Sequence, residues 1–198
     1  MRLRRAFAGG SSANEQLTAI VATVLVVLLA VEGATLLNLR SLLTVHAFVG
    51  MLLIPVVALK LASTGWRMLR YYLRGEEYVR RGPPHVVLRV LVAPATVVST
   101  IAVFGTGVAL LIRDETRGLL VGLHKASFIV WLGATAIHVL AHRIDGFAAV
   151  RRRVPGLVGR VGIVAAVLAV GGALAVATLP SADHLQDRAS HEFGFDRH

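Results

Sequence analysis

The sequence predicts an all-α integral membrane protein, a bundle of five transmembrane helices. Three observations carry this. Several apolar runs exceed the roughly 18 residues that a bilayer-spanning helix needs. Hydrophobic residues make up 56% of the 198-residue chain, and the mean hydropathy of +0.70 is too high for an ordinary soluble domain. The arginines fall between the runs, dense and sparse in alternation, as connectors on opposite sides of a membrane do.

The first run extends from Leu17 to Leu37, interrupted near its end by Glu32. The connector Asn38 to Ser41 is so short that the second helix must return beside the first. That second helix runs from Leu42 to about Thr64 and reaches an interfacial aromatic at Trp66. The segment "RMLRYYLRGEEYVRRGPP" follows. It lies on the membrane surface or carries the second helix into water. Pro83 and Pro84 suit the first turn of a third helix, His85 to Ile112, which ends in the polar turn "RDETRG". The fourth spans Leu119 to about Ala141. A glycine-rich fifth covers Leu157 to Leu179, and Pro180 opens a polar tail. The expected organisation is a basic N-terminus over 1–16, a membrane domain over 17–179 and a flexible polar tail over 180–198.

Charge bounds the partners. The net charge is +10, but the basic residues flank apolar spans, so anionic lipid headgroups are the expected partner and nucleic acid is not. With no cysteine in the chain, disulfides, iron–sulfur clusters, thiolate ligands and c-type haem attachment are excluded. One side of the membrane receives Arg2, Arg4, Arg5, Arg67, Arg70, Arg74, Arg80, Arg81, Arg143 and Arg151 to Arg153. The other receives Arg40, Arg113, Arg117, Arg188 and Arg197. The positive-inside rule then places the N-terminus inside and the tail outside a bacterial cytoplasmic membrane.

Ionisable side chains at membrane depth are costly and point to function. The second helix carries His46 and Lys60, the fourth His124 and His138, and each pair is fourteen positions apart. Fourteen steps return to within roughly 40° of the same helix face and climb about 21 Å. His46 and His124 both lie roughly 6–8 Å below the outer boundary, and Lys60 and His138 about 27–29 Å from it. The four form an outer and an inner pair, the arrangement that two stacked metal centres require. Imidazole is a common axial ligand of haem iron. Gly50, Gly105 and Gly107 leave room nearby for a flat macrocycle. At the inner level Lys60 competes with His85, at the start of the third helix, and with His142. Arg89 is placed to clamp a haem propionate inside, and Lys125, Arg113 and Arg117 outside. The bland readings are hydrogen-bonded core histidines, a lysine that snorkels to the surface, and ordinary interfacial charges.

The stretch "LHKASFIVWLGATAIHVLAH", with His124 and His138, resembles the haem-binding helices of respiratory cytochromes b and of the small membrane subunits of formate dehydrogenases and hydrogenases. "HAFVGMLLIPVVALK" supplies His46 but has Lys60 where the four-histidine pattern has another histidine. "YYLRGEEYVRRGPP" and "LRVLVAP" look like segments of small actinobacterial membrane proteins with this helix plan. The likeness covers roughly Leu42 to His142. It implies a four-helix haem-binding core with one peripheral helix, and haem b at two sites or at one. It also implies electron transfer between a quinone pool and a partner redox protein.

No nucleophile elbow, phosphate loop or zinc motif appears, so an electron-transfer subunit is expected rather than a self-sufficient enzyme. A homo-oligomer is compatible with this plan. Two rival classes stand beside it. One is an ion-coupled permease in which Lys60, Glu32 and the histidines line a path. The other is a membrane anchor for another subunit, with no cofactor.

Overall fold

A computed structural model of the chain describes residues 10–73, 91–151 and 154–195. Side chains are described within these ranges except at 10–11, 138, 141–151 and 192–195. His85 and Arg89 therefore lie outside the described residues, as do the side chains of His138 and His142.

Among the described residues the chain is helical, with no strand. The elements are α1 (Gly10–Thr35), a 3-10 turn (Leu36–Asn38), α2 (Leu39–Tyr72), α3 (Ala93–Arg113), α4 (Leu119–Arg151), α5 (Leu157–Ala177) and α6 (Leu179–Phe195). Four helical segments are long and apolar enough to cross a membrane: Ser12–Tyr72, Ala93–Arg113, Leu119–Ile137 and Leu157–Ala177. The first of these, 61 residues long, doubles back at the 3-10 turn as the α1–α2 hairpin.

Several helices outlast their apolar runs. α1 begins at Gly10, inside the stretch expected as a basic terminus. α2 continues past Trp66 to Tyr72, where the Arg70 guanidinium lies 5.9 Å from the centre of the Trp66 ring. α4 runs on to Arg151. Hydropathy falls at these points, but the helical hydrogen-bond ladder does not depend on it.

Two antiparallel hairpins, α1–α2 and α3–α4, pack side by side. Along the first, Asn14 Nδ2 donates to the Ser63 carbonyl at 3.0 Å and the Thr18 hydroxyl to Ser63 Oγ at 3.1 Å. Along the second, Trp131 Nε1 donates to Thr100 Oγ1 at 3.1 Å. The hairpins meet along α1–α4 and α2–α3, seams looser than the hairpins themselves, so α2 and α4 lie diagonally across the bundle. Both turns, Leu36–Asn38 and the loop after Arg113, fall at one end, here called the turn end.

α5 lies outside this ring, against α2 and α1. It nevertheless shares the largest apolar core, in which its Val164 joins Leu17, Val21 and Leu25 of α1 and Val49, Leu53 and Val56 of α2. A Cβ at Gly171 would stand 2.5 Å from the Leu52 carbonyl oxygen. A glycine is required for this approach, which lets the two backbones close as small residues do between membrane helices. Arg160 near the start of α5 is 1% exposed, and its Nη2 donates to the carbonyls of Val154 and Pro155 at 2.9 and 3.0 Å.

Polarity is distributed inside out. Gln16, Thr18, Ser63, Ser99, Thr100 and Arg160 are buried, while Val27, Ile101, Ile129 and Val158 are exposed. In water such a surface would drive aggregation; in lipid it is the favourable side, and the interior polar groups join helix to helix.

Where a flexible polar tail is expected over 180–198, the structure has a helix. α6 buries Ala182, Leu185 and Ala189 against α2, with further contact to α3 and α5. Its cause is visible in the backbone. Leu42, one turn into α2, has non-helical angles (φ −116°, ψ 17°). Gln186 bridges this break: Thr44 N–H donates to its Oε1 at 2.8 Å, and its Nε2 donates to the Ser41 carbonyl at 3.1 Å. Thr44 Oγ1 also donates to Asp183 Oδ1 at 3.0 Å. Arg188 pairs with Asp114 at 2.6 Å. Asp114 caps α3 in the left-handed region, at φ 53°.

Candidate functional site

His46 of α2 and His124 of α4 face each other across the bundle near the turn end. Their ring centroids are 6.4 Å apart and their planes cross at 83°. They come from diagonal helices, so neither hairpin alone makes the pair.

A threonine hydroxyl stands against one nitrogen of each ring. Thr35 Oγ1 donates to the Glu32 carbonyl at 2.6 Å and lies 3.0 Å from His46 Nδ1. A hydroxyl has one proton. With that proton on the carbonyl, the oxygen is placed to accept from the ring at Nδ1. Glu32 Oε1, 3.1 Å from the same nitrogen, is a second acceptor. The same logic holds across the bundle. Thr106 Oγ1 donates to the Ala102 carbonyl at 2.6 Å, with the Val103 carbonyl at 3.1 Å, and lies 3.0 Å from His124 Nδ1. Both rings thus present Nδ1 to a threonine hydroxyl; with hydrogen on Nδ1, each would keep a lone pair on Nε2, the form in which an imidazole ligates a metal.

The glycines divide. At Gly107 a Cβ would stand 3.1 Å from His124 Cε1, so the bare backbone of α3 makes room for that ring. At Gly50 a Cβ would stand 3.5 Å from Glu32 Oε1, an ordinary contact, and the glycine lies beside the carboxylate. Gly105 is exposed on α3 and borders open space. Beside His124 a groove of about 520 Å³ opens between α3 and α4, with Ser99, Thr106 and Ser127 in its wall. Of the basic residues expected near this level, Arg113 lies 3.7 Å from Glu115, and Arg117 and Lys125 are exposed.

At the other level the geometry differs. Lys60 Nζ donates to the Thr18 carbonyl of α1 at 3.1 Å, within a polar seam that includes Asn14 and Ser63. It is tied to its hairpin partner. His138 lies on the described backbone of α4, fourteen residues beyond His124.

Thr35, Thr106 and Gln186 escape the sequence reading. Hydroxyls in apolar helices usually bond back to their own helix, as Thr18, Thr23 and Thr96 do here, and nothing local marks the two that also meet a histidine ring.

Among the described residues no group of three or more His, Cys, Asp or Glu is placed to hold a metal ion. Among the described residues, two imidazoles and the Glu32 carboxyl group come together at this position. No protein-family model matches the chain, and no curated protein or solved structure matches it significantly.

Proposed function

We propose that the protein is a membrane-embedded b-type cytochrome whose haem sits between His46 and His124. The observation that carries this reading is the spacing of two histidine rings on diagonal helices, each engaged at Nδ1 by a threonine hydroxyl. A histidine nitrogen meets a first-row metal at about 2.0–2.1 Å. His46 and His124, with ring centroids 6.4 Å apart, would hold the group through one nitrogen each. Two protein ligands alone make a poor metal site. They suffice where a planar macrocycle supplies four equatorial donors, as haem does. The chemistry so supplied is one-electron exchange.

The chain's own residues hold the site ready. Thr35 and Glu32 orient His46, Thr106 orients His124, and the exposed apolar faces keep the site in lipid. Electrons would pass between a quinone pool and a partner redox protein. Within this reading the chain crosses the membrane five times, with its N-terminus inside and the turn end outside, as the arginine distribution requires. The hydrogen bond from Lys60 to Thr18 favours a single haem, at the outer level.

The test is the spectrum of detergent-purified protein from haem-replete cells. The expected result is the sharp reduced α-band of six-coordinate haem b. Colourless protein at full occupancy would overturn the reading and promote a permease built on Lys60 and Glu32. Topology has its own test in this cysteine-free chain. Single cysteines at Ser181 and Ser190 should react with impermeant thiol reagents in intact cells, and one at Tyr78 only after lysis. The opposite labelling would invert the assignment.

A further inference from the structure

The two histidines are not held alike. His124 Nδ1 meets one hydroxyl, Thr106 Oγ1, at 3.0 Å. His46 Nδ1 meets a hydroxyl at 3.0 Å and a carboxyl oxygen, Glu32 Oε1, at 3.1 Å. The carboxyl group is partly buried near the turn end of the hairpin, its side chain 17% exposed. Its other oxygen, Oε2, is buried without a hydrogen-bond partner among the described residues. A carboxyl group placed in an apolar wall is costly, and the one polar contact described for it is the ring of His46. Local helix chemistry does not call for it, since the Glu32 backbone carbonyl is already met by Thr35 Oγ1.

We propose that Glu32 is a positioning residue that acts through His46. By accepting from Nδ1–H it locks the ring with Nε2 bare and makes His46 the stronger electron donor of the two. A carboxylate behind a ligating imidazole raises ligand basicity and commonly alters metal affinity by about 10–100-fold. A more basic ligand favours the oxidised metal, so Glu32 holds the midpoint potential of the bound group down. The proposal rests on the haem reading above, but its first half, the tautomer lock, stands without haem.

The experiment has two parts on the full chain. The first is a redox titration of haem-loaded wild type, Glu32→Gln and Glu32→Asp. Glutamine keeps an oxygen that accepts from Nδ1–H but carries no charge. The expected result for Glu32→Gln is a raised midpoint potential in the haem that remains bound. A tenfold loss of preference for the oxidised state is a rise of about 59 mV in a one-electron couple. Glu32→Asp should return most of the shift. A Glu32→Gln potential equal to wild type would reduce Glu32 to a structural contact and overturn the proposal.

The second part is nitrogen-15 NMR of the histidines in haem-free wild type, which needs no variant to fold. His46 should have its proton on Nδ1, with the strongly deshielded proton resonance of a hydrogen bond to a carboxylate. A proton on Nε2 would overturn the lock whatever the haem content. If wild type takes up no haem at all, the cytochrome reading falls, and this second measurement still decides the role of Glu32.

Discussion

His46 and Lys60 lie on one helix, fourteen residues and about 21 Å apart on nearly the same face, yet they meet different surroundings. At His46 the turn end of α1 supplies Thr35 and Glu32, both on Nδ1, and the ring stands 6.4 Å from that of His124 on the diagonal helix. At Lys60 the neighbouring turn of α1 supplies a carbonyl, that of Thr18, and the ammonium is drawn to it. The periodicity of α2 sets which side each residue leaves from. Its partner depends on what α1 places beside it, and acceptors met at Nδ1 and at Nζ have opposite consequences. An imidazole held at Nδ1 keeps a donor atom for use elsewhere; a lysine has a single nitrogen.

The strongest way to break this contrast is to remove each group in turn. His46→Ala or His124→Ala should abolish the six-coordinate haem spectrum, whereas Lys60→Ala should leave it intact. Loss of a haem on Lys60→Ala, seen as a second low-spin species disappearing from the wild-type spectrum, would restore Lys60 as a ligand. A smaller effect is expected from Thr106→Val, which keeps the shape and removes the sole hydroxyl found on His124 Nδ1. Haem affinity should fall by roughly tenfold or more, measured by competition with a haem-binding protein. The corresponding change on the other ring, Thr35→Val, should cost less, because Glu32 remains.

Both levels rest on α2, and α2 rests on α5 at one point of backbone contact. Gly171→Ala would drive a Cβ to within 2.5 Å of the Leu52 carbonyl, and overpacking of this kind costs about 1–3 kcal/mol. Thermal unfolding in detergent should shift downward, with the spectrum of the folded fraction unchanged. The smallest effect is expected from Arg188→Ala. It deletes a partly exposed ion pair with Asp114, worth about 0.2–1 kcal/mol. Limited proteolysis of α6 should speed up slightly, while haem content stays at the wild-type level.

The helical class, the apolar segments and the level shared by His46 and His124 were legible because each rests on a repeating physical signal, hydropathy or rise per residue. Helix ends were less so. The runs stop where lipid would stop, at Thr64 and Ala141, whereas the backbone ladder of α2 and α4 goes on to Tyr72 and Arg151. α6 was hidden for a related reason. Ala182, Leu185 and Ala189 recur at helical spacing, but they are small and sit among charged residues, so overall polarity masked the period. The tautomer lock was beyond reach, because it depends on which hydroxyl, of many that bond back to their own helix, ends beside a ring on the next one.

The bridge from Gln186 to Thr44 joins residues 142 positions apart, and that separation has a meaning in time. Chains grow at about 5–20 residues per second, so the break at Leu42 waits on the order of 7–30 s after its synthesis for the amide that closes it. Both hairpins, with His46 and His124, are complete well before then. Over the last part of this interval, after α4 ends at Arg151, the two hairpins stand without their clasp. Assembly thus acquires an order: the two hairpins come first, and α6 clasps them last.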